Sequence, residues 1–114
     1  GMAAAALTEL GGGDPETVSH AAALAIKNLL GLVCDPVAGL VEVPCVKRNG
    51  FAAVHAMLAA DMALAGVRSV IPADEVIEAM KNIGRALPRT LRETAEGGLA
   101  MTTTAQKITQ KLYG

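Results

Sequence analysis

The chain has 114 residues, 52% of them hydrophobic and only 2% aromatic, with a net charge of −1. That length suits one modest core, and the apolar fraction excludes a wholly disordered chain. The near-neutral charge and near-absence of aromatic residues argue against a nucleic-acid binder, and no apolar run reaches the roughly 18 residues needed to span a bilayer. Two cysteines are too few for a secreted disulfide scaffold, and no secretion signal opens the sequence, so a cytoplasmic protein is expected.

Much of the apolar content is alanine, the best helix former and a residue that lets helices approach closely. The reading is therefore all-α: a compact bundle of about five helices in one domain over residues 1–114, with an irregular cysteine-bearing loop between the second and third. The first helix, Met2 to Leu10, opens without a capping residue, and reads as a helix cut in its middle, with Gly1 a remnant of tag removal. Three glycines, Gly11 to Gly13, end it. Asp14-Pro15 starts the second helix with an acidic cap and a proline at the first helical position. Val18, Ala22, Ala25, Ile26, Leu29 and Val33 carry its apolar spacing, Glu16, His20 and Lys27 fall on another face, and Gly31 marks its end.

Residues 34–48 hold two prolines and a glycine, which excludes one continuous helix. An irregular loop is expected, with a short extended piece at Leu40–Val43. A third helix is expected from about Asn49-Gly50 to Ala65. Between Phe51 and Ala65 its only polar side chains are His55 and Asp61, a pattern that calls for burial on all sides. So short a chain has little to cover it, which points to a missing domain or a partner, by docking or dimerisation. Pro72 opens a fourth helix with Asp74 and Glu75 in its first turn. Val76, Ile77, Met80, Ile83 and Leu87 form its stripe, Glu78, Lys81, Asn82 and Arg85 face out, and Pro88 ends it. Residues 89–96 add one or two helical turns, Gly97-Gly98 and Thr102–Thr104 form a loop, and a polar helix spans Ala105–Tyr113.

The thiols Cys34 and Cys45 stand eleven residues apart, each beside a proline that stiffens the backbone. Such stiffening suits a metal-ligand loop. The same residues are open to other readings: small buried hydrophobes, or a disulfide. Zinc needs two more ligands, and the only histidines, His20 and His55, match no zinc spacing; both read as structural. An iron–sulfur cluster wants three or four cysteines, so further ligands must come from elsewhere. Arg48 and Asn49 are candidates for binding a carboxylate, or are a solvated helix entry. The glycines at 11–13 lack the features of a phosphate loop.

The run Leu30-Gly31-Leu32-Val33-Cys34-Asp35-Pro36, followed by the turn at Gly39, then Pro44-Cys45 and Arg48-Asn49, resembles the signature of bacterial iron–sulfur-dependent L-serine dehydratases. The likeness extends to Met2–Leu7, to Ala60–Gly66, to Ile71–Ile77 and to Leu91–Ala100, and so covers nearly the whole chain. The resemblance implies the C-terminal part of an alpha chain. It makes Cys34 and Cys45 ligands of a 4Fe–4S cluster, and Arg48 or Asn49 helpers in orienting substrate or loop. It places a further ligand cysteine upstream of Met2, and the acid–base residues, among them a serine–histidine motif, outside these residues. Single-chain members end in a cysteine that reaches the cluster; the ending Lys111–Gly114 fits the type with a separate beta chain. The implied reaction turns L-serine into pyruvate and ammonia without pyridoxal phosphate, and this piece is expected to be inactive and cluster-free alone, its thiols free or disulfide-bonded. A related lyase such as an L-cysteine desulfidase, or a non-catalytic helical interaction domain, stands as the alternative.

Overall fold

The computed structural model describes residues 1–114. The expected all-α class holds: five α-helices, α1 (Met2–Leu10), α2 (Pro15–Lys27), α3 (Cys45–Leu64), α4 (Ala73–Ala86) and α5 (Thr103–Tyr113), joined by three short 3-10 turns and no strand. None of the helices is long and apolar enough to cross a membrane. The residues group into two units, one of Gly1–Gly31 with Phe51–Arg85, the other of Leu32–Gly50 with Ala86–Gly114.

The first unit has a core of small side chains. Ala4, Ala21, Leu24, Ala25, Ala56, Ala59 and Ala63 pack together with Met62 against them, so α1, α2 and α3 meet at short range. Local sequence sets the helix ends. Asp14 Oδ1 accepts the Thr17 N–H at 2.8 Å and Pro15 follows it, as the acidic cap and the proline predict. Helix α2 stops at Lys27, earlier than Gly31; Asn28 closes it by donating from Nδ2 to the Leu24 carbonyl at 2.7 Å. The link from α3 to α4 is tied to α2: Lys27 Nζ donates to the Ser69 carbonyl at 2.7 Å, and the Ser69 N–H donates to His20 Nδ1 at 3.2 Å. Arg68 pairs with Glu16.

Helix α3 buries only its alanines. Phe51 is 81% exposed, and Val54, Met57 and Leu58 are also open to solvent, so the apolar face that called for cover has none within the chain. Helix α4 corrects the expected buried stripe: Val76 is buried, but Ile77, Met80 and Ile83 are exposed. Its charged residues face solvent as predicted, with Lys81 and Glu78 paired at 3.3 Å.

The second unit holds the cysteine loop and α5. Helix α3 begins at Cys45, not near Asn49, because Pro44 sits just ahead of it, where a missing N–H costs no hydrogen bond. The Arg48 N–H donates to the Pro44 carbonyl at 3.0 Å. The expected extended piece at Leu40–Val43 is instead a turn. Ala38 and Gly39 take positive φ (56° and 72°), which reverses the chain, and the Val37 N–H reaches back to the Val43 carbonyl at 2.9 Å. The stretch after α4 forms one 3-10 turn, Arg89–Leu91, and then runs irregularly with Glu93 and Ala95 at φ 64° and 54°. The threonine run is a helix start rather than a loop: the Thr102 side chain accepts from the Ala105 N–H, and α5 begins at Thr103. Helix α5 lies against the loop, with Ile108 and Leu112 lining a small cavity shared with Val37, Leu40 and Val43, and Tyr113 Oη donating to the Ala38 carbonyl at 3.3 Å.

Candidate functional site

Both cysteines fall in the second unit, one at each end of the 34–45 loop. Cys34 is held by its backbone. Its N–H donates to the Leu91 carbonyl at 2.9 Å and its carbonyl accepts the Glu93 N–H at 2.7 Å, a short parallel bridge with the segment at Arg92. Cys45 occupies the first turn of α3. Both are free thiols, and both are half-buried. Of the readings open from sequence, the disulfide and the fully buried hydrophobe are therefore set aside.

Asp35, next to Cys34, was not singled out from sequence. Pro36 restricts it to extended backbone, and its carboxylate is 2% exposed. A buried carboxylate has to be paired and hydrogen-bonded, and this one is. Oδ1 accepts from Arg48 Nη1 at 2.6 Å, and Oδ2 accepts the Leu99 N–H at 2.6 Å. Arg48 Nη1 also donates to the Val33 carbonyl at 3.2 Å. Arg48 is thus committed to the loop by one end of its guanidinium, while Asn49 is exposed. The structure brings Cys34, Asp35 and Arg48 together directly and places Asn49 on the adjoining helical turn. A bond between residues 64 apart has no local signal in a sequence.

The charges set the chemistry of these groups. Burial pushes the Cys34 thiol up, and the Glu93 carboxylate, Cys45 and Asp35 add to it, with Arg48 opposing. A metal-free Cys34 therefore stays a thiol near neutral pH and has to give up its proton before it can hold a metal. For Asp35, burial pushes the carboxyl up, but the Leu99 N–H and the Arg48 guanidinium outweigh it, and the net position is below the usual carboxylate value. The unfolded chain then takes up this proton first as pH falls. Asp35 contributes stability above about pH 4, and that contribution is lost as the pH drops through lower values. The thermal midpoint of the wild-type chain, followed by circular dichroism between about pH 5 and 2.5, is expected to fall more steeply than that of Asp35→Asn.

The two histidines have structural partners in the first unit. His55 Nε2 lies 2.9 Å from the Ala25 carbonyl and so carries its proton there, and His20 accepts from Ser69. No group of three or more His, Cys, Asp or Glu side chains converges as a metal site.

Comparison with known proteins gives a consistent result. The profile of a family described as the serine dehydratase alpha chain matches residues 1–100. A probable L-serine dehydratase alpha chain of Bacillus subtilis (strain 168) is 61% identical over 114 residues, all of this chain and 38% of the relative. A probable alpha chain of the same kind from Latilactobacillus sakei is 61% identical over 113 residues, 99% of this chain and 54% of the relative. The L-serine dehydratase alpha chain of Peptoniphilus asaccharolyticus is 54% identical over 107 residues, 94% of this chain and 37% of the relative. The chain therefore spans roughly half or less of the length of these curated relatives.

Proposed function

The chain belongs to the serine dehydratase alpha chain family, and from that premise we propose that it is the part of an L-serine ammonia-lyase that lends two thiolates, from Cys34 and Cys45, to a 4Fe–4S cluster. The carrying observation is the pair of free, half-buried thiols at the two ends of one braced loop. Their donor chemistry fits: soft thiolates are the ligands such clusters take. The remaining ligands and the acid–base residues come from the longer protein of which the relatives give the measure. When bound, the cluster supplies a Lewis acid that eases departure of the serine hydroxyl.

This chain's own residues then have separate tasks. Cys34 and Cys45 give up their protons and hold iron. Arg48, engaged by Asp35, orients the loop. Asn49, exposed one residue further along the helix, is the group free to donate a hydrogen bond to the substrate carboxylate. Loss of the Cα proton and of the hydroxyl as water, followed by tautomerisation and hydrolysis, gives pyruvate and ammonia. No pyridoxal phosphate takes part in this reading. The uncovered apolar residues of α3, led by Phe51 and Val54, support docking against the rest of the enzyme, its beta chain or a second copy, and the isolated piece is inactive in this reading.

Anaerobic iron–sulfur reconstitution of the full-length alpha chain with its beta partner, followed by a serine-to-pyruvate assay, tests the proposal. The expected result is about four irons per alpha chain, tracking with pyruvate formation. Iron without serine turnover points to another cluster-dependent lyase, such as one acting on L-cysteine. Protein without iron overturns the ligand assignment and leaves a helical interaction domain.

A further inference from the structure

We infer that Asp35 is a positioning residue whose single carboxylate, bonded to Arg48 and to the Leu99 N–H, fixes the thiols of Cys34 and Cys45 relative to each other before any metal arrives. The inference deepens the proposed reading and rests on it for the ligand role of the two thiols.

Three segments meet at this carboxylate. The first is its own, where Cys34 is the preceding residue. The second is the first turn of α3, because Arg48 lies three residues beyond Cys45 and so one helical turn away on the same side. The third is the Gly98–Met101 turn, held through the Leu99 N–H. One buried side chain thus joins both cysteine-bearing segments to a common anchor. The Cys34 backbone is meanwhile gripped from the other direction by Leu91 and Glu93. Glu93 takes φ 64° to do so, a conformation an L-residue adopts at a cost. Ala38 and Ala95, also in this unit, carry the same left-handed backbone. Strained positions gathered around a loop that is otherwise irregular indicate a geometry the surrounding bonds impose. Ligand groups held by such supports bind metal with less reorganisation.

Gly98 shows how close the fit is. A Cβ built there would stand 2.8 Å from Asp35 Cβ and 2.9 Å from its Cγ. The carboxylate is therefore enclosed on the side of the turn as well as bonded to it.

The test uses this chain without iron, as wild type, Asp35→Ala and Asp35→Asn. Amide hydrogen exchange is read at Leu99, with the Ala25 amide of α2 as a control for global opening. Alkylation of Cys34 and Cys45 by iodoacetamide is timed in the same samples. Asp35→Ala is expected to speed Leu99 exchange about ten- to hundredfold and to raise both alkylation rates when these are compared per thiolate, with Ala25 unchanged. The comparison is per thiolate because loss of the Asp35 charge alone raises the Cys34 thiolate fraction. Asp35→Asn keeps the shape and one acceptor oxygen and is expected to fall between; it decides the matter if the alanine variant does not fold. Leu99 exchange and alkylation rates that stay within about twofold of wild type in Asp35→Asn overturn the inference. In the reconstituted full-length enzyme, the electron paramagnetic resonance spectrum of the reduced cluster is expected to shift in Asp35→Asn, which a purely stabilising role would not produce. Failure of the wild-type enzyme to take up iron would defeat the ligand reading alone, since exchange and alkylation in the metal-free chain still decide the role of Asp35.

Discussion

Cys34→Ser in the full-length enzyme is expected to lower both bound iron and pyruvate formation at least about a hundredfold, because a hydroxyl is a far harder and less acidic donor than a thiol. The same substitution is expected to leave the fold nearly untouched. The hydrogen bonds that place Cys34 come from its backbone, to Leu91 and Glu93, and a serine keeps them. The side chain is only half-buried, so the stability change stays within about 0.5 kcal/mol. Iron analysis and a urea titration on one preparation check both halves. Iron and activity retained in Cys34→Ser would remove Cys34 from the ligand set.

Gly98→Ala is expected to be the most damaging single-methyl change in the second unit. Gly98 has φ +57°, where an alanine costs about 1–2 kcal/mol. The added Cβ would also run into the Asp35 carboxylate and force it from its partners. Breaking a charged, buried hydrogen bond adds about 1.5–3 kcal/mol. The total, about 3 kcal/mol or more, is a large share of the stability of a small protein. Gly84, inside α4 with open space around it and ordinary helical φ, is the control: Gly84→Ala is expected to be neutral or stabilising by up to about 1 kcal/mol. Urea denaturation of the two variants side by side measures the difference. Equal midpoints would mean that the turn can yield and that the enclosure of Asp35 is not tight.

The sequence made some of this legible and hid the rest for identifiable reasons. The start of α2 was readable because Asp14, Pro15 and Thr17 interact within three residues. The uncovered face of α3 was readable because apolar residues recur around the whole helix. The start of α3 is hidden because a proline reads as a break, whereas Pro44 stands where a helix begins. Thr102 reads as loop from its threonine neighbours, although a threonine before a helix is a natural cap. In the site, Cys34 and Cys45 stood out by residue type and by their proline neighbours, and the family signature gave them a role to test. Asp35 did not stand out. Its partners lie 13 and 64 residues away, and nothing in a single sequence links them. Arg48 stands out as a directed hydrogen-bond donor to a carboxylate, and the structure gives it a carboxylate partner inside the protein.

The chain contains no tryptophan, one phenylalanine and one tyrosine. Its near-ultraviolet fluorescence therefore comes almost wholly from Tyr113, whose hydroxyl reaches across to the Ala38 carbonyl on the loop between the cysteines. The molecule carries a single strong intrinsic fluorophore, and it sits at the end of α5 with its hydroxyl against the cysteine loop. Emission from that one ring reports whether α5 is seated there and gives no signal from the alanine core of the first unit. Loop opening and melting of that core can thus be followed as separate events, the first by light from Tyr113 and the second by helical circular dichroism, with no label attached.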